Sequence, residues 1–207
     1  MTPRPVRRLR CWILASWLIA VIGCGKGSPT GAIGDMPDYY PVSVGSWWVF
    51  YYSAFSGTAK DSVADTTTLP GGIAAYVIRH RSAFGNPPHE DTSTTYIVRT
   101  AREVRRYYAR PDTYSYTVLR FPLKVGDAWS EWTTFDGMYD SMTVAGRGTV
   151  SIPAGSFARC FHVIEKCLYD PYSSVQTREF CYAPDVGFVR GRLFASDTIE
   201  LIDYHIN

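Results

Sequence analysis

The 207 residues carry 21 basic and 19 acidic side chains, a net charge of +2, with 15% aromatics, 17 glycines and 13 prolines. That aromatic content excludes a disordered or low-complexity chain, which lacks the apolar side chains a core needs. Four of the bases, Arg4, Arg7, Arg8 and Arg10, fall in the first ten residues; without them 17 bases face 19 acids, and no basic surplus is left to attract nucleic acid.

In chain order, the basic start is followed by Cys11–Ile22, an uncharged run of 12 residues. A spanning helix needs about 20, so this run is the core of a secretory signal rather than an anchor. It ends in Val21-Ile22-Gly23-Cys24, which resembles the lipobox of bacterial lipoproteins. The resemblance implies that residues 1–23 are removed and that Cys24 carries the acyl chains. More than one chain gives stable membrane attachment. Residues 24–37, rich in Gly, Pro and Ser, read as a flexible tether. Gly25 follows the cysteine, as in lipoproteins sorted to the outer membrane, which usually lack aspartate there. The expected address is the bacterial cell envelope, held by lipid, on the outer rather than the inner membrane.

The remainder, residues 38–207, reads as strands. SWWVFYYSAF (46–55), AAYVIRHRSAF (74–84), TYIVRT (95–100), FARCFHVIEKCLY (157–169) and VQTREFCYA (175–183) are rich in aromatic and β-branched residues. Turn signals such as LPGG, GNPP, FDG, IPAG and YDPYS separate them. No helical period of useful length occurs, so the region is all-β. YPVSVGSWW (40–48) matches FPLKVGDAW (121–129) at an offset of 81 residues, and LPGG (69–72) matches IPAG (152–155). Two tandem units of about 80 residues follow, one from about 38 to 118 and one from about 119 to 207. Short units with open edges are expected to fuse into one antiparallel domain, a curved sheet, half-barrel or sandwich. Val-Gly before the tryptophan reads as a tight turn that starts a strand.

The second unit continues with Ile152-Pro153-Ala154-Gly155-Ser156-Phe157 and Tyr182-Ala183-Pro184-Asp185-Val186-Gly187-Phe188-Val189. With Phe121-Pro122-Leu123, Gly126 and Trp129, these segments resemble the DUF3108-like group of β-rich secreted bacterial proteins. Asp185 stands where that pattern has glycine; aspartate tolerates the left-handed turn geometry. The resemblance implies a β-rich exported fold and brings no catalytic residues.

Candidate sites are few. No nucleophile elbow, phosphate loop or metal-ligand spacing occurs, and neither a cofactor nor a metal is expected. The four histidines are scattered, and His89-Glu90-Asp91 beside Asn86-Pro87-Pro88 reads as a solvated turn. Cys160 and Cys181 face each other if a hairpin turns between Asp170 and Pro171, which predicts a disulfide and leaves Cys167 free opposite Ser174. Arg99–Arg110 reads as the polar face of a hairpin, with lipid phosphate, acidic glycan or RNA as possible contacts. Trp47, Trp48 and Trp129 are candidates to line an apolar cavity, although runs apolar on both faces also suit two packed sheets.

Three functions compete on this reading. One is a non-enzymatic envelope lipoprotein that binds or scaffolds another envelope protein. The second is a carrier or sensor of a lipid or other apolar ligand. The third is a hydrolase of envelope glycan or peptide using acids such as Glu90, Asp136 and Asp140. The membrane, reached through the lipid, is a partner in each.

Overall fold

A computed structural model describes residues 37–108, 115–132, 138–169, 174–193 and 197–207. The signal, Cys24 and almost all of the tether lie outside the described residues, as does Asp136. Twelve strands follow in order: β1 (Trp47–Tyr52), β2 (Gly57–Leu69), β3 (Ile73–Phe84), β4 (His89–Arg99), β5 (Glu103–Tyr107), β6 (Ser115–Arg120), β7 (Ala128–Trp132), β8 (Met138–Ile152), β9 (Gly155–Tyr169), β10 (Ser174–Ala183), β11 (Gly187–Arg192) and β12 (Thr198–His205). All pairings are antiparallel, and no helix occurs among the described residues. The strands form one sheet in the order β6-β5-β4-β3-β2-β1-β12-β11-β10-β9-β8-β7, curled into a nearly closed barrel. The all-β expectation holds. The alternative of two packed sheets does not: there is one sheet, and it packs against itself.

Two consecutive six-strand meanders make up this sheet, and β6 runs across the expected boundary at 118/119. The Val-Gly turns do the same backbone work in both. Gly45 N–H donates to Val63 O at 2.9 Å, and Val63 N–H donates to Ser46 O at 2.9 Å. The counterparts are Gly126 to Val144 O at 2.8 Å and Val144 to Asp127 O at 2.9 Å. Gly45 (φ +98) and Gly126 (φ +94) hold conformations that a side chain resists. Each turn pins a β-bulge, Val63/Asp65 in β2 and Val144/Gly146 in β8, where the long strands bend.

Alternation along the strands sorts the two faces. On β1, Trp48 and Phe50 are buried inside, and Trp47 points outward under Lys60, whose ammonium sits 4.3 Å from the ring centroid. Exposed Lys60, Arg79, Arg81 and Lys166 mark the outer face as one made for water rather than lipid. One cluster of buried residues fills much of the interior, including Val63, Tyr76, Ile97, Leu119, Val144 and Val163. Residues 38–42 cross one end of the barrel. There Asp38 pairs with buried Arg99 at 2.9 Å, and its backbone exchanges hydrogen bonds with Asp185, which takes the left-handed φ of +60.

The two seams between the meanders differ. β1 and β12 zip over six residue pairs. β6 and β7 form no strand pair, and side chains bridge them instead. Glu131 on β7 accepts a hydrogen bond from the buried Thr117 backbone N–H, another from Thr117 Oγ1 at 3.1 Å, and one from Arg105 at 3.3 Å. The Trp129 indole N–H donates to Thr117 O at 3.4 Å. Charged hydrogen bonds of this kind contribute about 1.5–3 kcal/mol each, and an orphaned buried donor costs a similar amount. Glu131→Ala should therefore lower stability by about 3 kcal/mol in urea unfolding, with Glu131→Gln, which keeps an acceptor, losing about half of that. Equal stability of all three proteins would show that the seam does not depend on this carboxylate.

Candidate functional site

Inside the barrel lies a cavity of about 290 Å³, at the small end of ligand pockets, which run from about 300 to 1,000 Å³. One wall is aromatic. Trp48, Phe50 and Tyr52 come from β1, Phe180 and Tyr182 from β10, and Phe188 from β11. The rings interlock: Phe50 and Phe188 have centroids 5.3 Å apart, and Tyr182 lies 5.9 Å from Phe188. The Trp48 indole N–H is held by Val186 O at 2.8 Å, which fixes the ring in the wall.

Polar groups line the same space. Asp61, Arg106, Tyr116, Asp140, Glu165 and Arg178 all face the cavity. Cross-strand register explains the cluster: Arg178 on β10 lies opposite Glu165 on β9, and Asp140 on β8 lies opposite Cys167. Arg178 and Glu165 pair at 3.2 Å. Burial pushes the Glu165 carboxyl up, against the opposing pull of Arg178. Side-chain ligand atoms of Asp140, Glu165 and Cys167 lie within 4.8 Å of one another, and all three residues are buried. Two carboxylates and a thiol are a donor set that a divalent cation accepts. Here Arg178 already neutralises one of the carboxylates, and burial with a hydrogen bond to Asp140 keeps the Cys167 thiol protonated.

Asp61 also pairs with His80 at 2.6 Å. The Asp61 hydrogen bond holds the imidazole above its ordinary pKa, with burial opposing. Tyr52 is pushed up to about 12 by burial and by Asp61, so it stays a neutral hydroxyl.

Only one of the three candidate tryptophans, Trp48, lines the cavity. Trp47 is outside against Lys60 and His205, and Trp129 is buried at the β6–β7 seam. The expected pairing of Cys160 with Cys181 is corrected. Ser174 pairs with Tyr169, so β10 sits two residues from the expected register; Cys181 faces His162, and Cys167 faces Gln176. β9 ends at Tyr169 and β10 begins at Ser174. All three thiols are free and buried. Burial pushes each of them up, which works against a catalytic thiolate.

Of the acids named for hydrolysis, Asp136 lies outside the described residues, and Glu90 and Asp140 do not come together. Asp140 is in the cavity, whereas Glu90 is on the exposed start of β4, paired with Arg81 at 2.7 Å. His89-Glu90-Asp91 thus belongs to a strand rather than to a turn. The arginine-rich stretch is not one polar face either: Arg99 is buried against Asp38, Arg105 bridges the seam, and Arg106 turns inward. Arg106, Glu165 and Arg178 were missed as site residues. Their strands mix polar and apolar residues on both faces, so alternation alone did not say which side was inside.

No protein-family model and no curated protein matches the chain. The resemblance to the DUF3108-like group thus has no family-model match beside it. Among solved structures, a provisionally assigned lipoprotein of Parabacteroides distasonis aligns with TM-score 0.45 and 15% identity, covering 83% of this chain and all of its own. A provisionally assigned exported protein with a YmcC-like fold from Bacteroides fragilis aligns with TM-score 0.45 and 13% identity, covering 82% of this chain and 99% of its own. At this distance the likeness concerns the β architecture and carries no site.

His80 supplies a test of the polar wall. Its raised folded-state pKa means that its pairing with Asp61 stabilises fully below the unfolded value of about 6.5 and is lost as pH rises through the folded value. The pair is partly exposed, so the amount is up to about 1 kcal/mol. Melting temperature should fall by about 2–4 °C as pH rises through that window, and His80→Gln should flatten the fall. An unchanged profile in the variant would remove His80 as its source.

Proposed function

We propose that the protein is a non-enzymatic, lipid-anchored component of the bacterial cell envelope that binds a small molecule with an apolar body inside its barrel. The cavity carries this reading: an aromatic wall beside a cluster of charged groups suits an amphiphile rather than a purely apolar lipid. At the roughly 30 Å³ that a small group takes in a liquid, the space holds about ten non-hydrogen atoms. That is a small metabolite or short acyl chain, not a whole phospholipid. The proposed anchor is Cys24, on the outer membrane, with residues 24–37 as the tether.

A second reading, scaffolding of another envelope protein, is favoured by the outer face. Trp132, Tyr139, Leu168 and Val175 lie side by side across β7, β8, β9 and β10. Trp132 is 65% exposed and Val175 60%. Exposed apolar rows of this kind mark contact surfaces.

Native mass spectrometry of residues 25–207, exported without the anchor, separates the two. Binding predicts an added mass that organic extraction releases and that Val118→Phe, which fills the cavity, abolishes without lowering the melting temperature. A bare polypeptide mass, identical before and after extraction, would turn the assignment toward scaffolding.

A further inference from the structure

Among the described residues, Arg106 is the arginine lining this cavity with no acid in contact. It lies on β5 opposite Ile97 on one side and Tyr116 on the other. Ile97 is fully buried, so this register directs Arg106 inward. Arg178, the other arginine lining this space, has Glu165 at 3.2 Å, and the lining carboxylate Asp61 has His80 at 2.6 Å behind it. Among the described residues no carboxylate lies within 4 Å of the Arg106 guanidinium. The carboxylate among its electrostatic neighbours is Asp61, already engaged by His80; the others are Tyr116, Tyr40 and Tyr108. Its Nη2 donates to Tyr40 Oη at 3.1 Å. Its Nε is buried with no hydrogen-bond partner.

A guanidinium is always charged and presents five donors in a fixed fork. Burying one of those donors unsatisfied is unfavourable unless a partner arrives. Leaving a charged group so placed costs more than leaving a neutral one. The Tyr40 hydroxyl, which accepts from Arg106, adds a neutral donor at the same point. On the reading that the cavity binds a small amphiphile, we infer that Arg106 receives the anionic head of that ligand, a single carboxylate, with the apolar body lying along Phe50, Phe180 and Phe188. Asp140 also faces the cavity but is engaged with Cys167 and is not among the groups acting on Arg106, so the head that meets this one arginine is a monoanion. A doubly charged phosphate would need Arg178 as well, and Glu165 holds it. A cationic head is disfavoured by Arg106 itself.

Octanoate, with ten non-hydrogen atoms, fits the volume and is the probe. The full chain in lipid nanodiscs is titrated calorimetrically with octanoate and with octanol, empty nanodiscs serving as the blank. Octanoate should bind at least tenfold more tightly than octanol. Arg106→Met should weaken octanoate at least tenfold and change octanol less than threefold. Arg106→Lys, which keeps the charge and loses the fork, should fall between. Melting curves of both variants check folding, and retained octanol binding checks the cavity. Equal affinity for the two probes, or octanoate binding unchanged in Arg106→Met, overturns the carboxylate assignment and leaves the cavity reading standing. Binding of neither probe overturns both.

Discussion

Everything in this molecule follows from the curling of one twelve-stranded sheet around a single interior. An eight-stranded barrel is just wide enough for inward side chains to fill it, and diameter grows with strand number. Twelve strands enclose more space than one layer of side chains occupies, even when the strands contribute tryptophan, tyrosine and phenylalanine. The surplus is the cavity. Polar groups on the inner face then meet a space that a ligand or water fills, so Arg106, Arg178 and Glu165 are tolerated where a solid core would exclude them.

Closure itself is uneven. The β1–β12 seam is built from backbone hydrogen bonds, and the β6–β7 seam from side chains centred on Glu131. Between the seams, the two Val-Gly turns pin bulges at matching places, and the bulges bend the long strands into the curve. These devices position the site. Trp48 stands one strand entry beyond Gly45, and its indole reaches across to Val186, so the turn that starts β1 also sets the aromatic wall.

Much of this architecture was legible in the sequence, and the reason lies in which residues carry it. Val44-Gly45 and Val125-Gly126 stood out because a tight turn before a strand demands glycine, and that demand does not depend on the rest of the fold. Aromatic and β-branched runs marked strands for the same local reason. Facing was another matter. WWVFYY is apolar on both sides, so Trp47 and Trp48 were indistinguishable until the barrel put one outside under Lys60 and the other inside. β9 and β10 carry charges on both faces, which hid Glu165 and Arg178. The cysteine pairing failed by two residues because register depends on how many residues the connection takes, and composition does not count them.

The functional reading therefore rests on a space inside the barrel with an aromatic wall and, among the described residues, an arginine with no acid in contact. Its most direct test is a crystal structure under xenon pressure, since xenon enters apolar cavities that are empty or poorly hydrated. The account predicts a xenon site within the barrel, against Trp48, Phe50 and Phe188. An interior filled by repacked side chains, with xenon only on the outer surface, would contradict it.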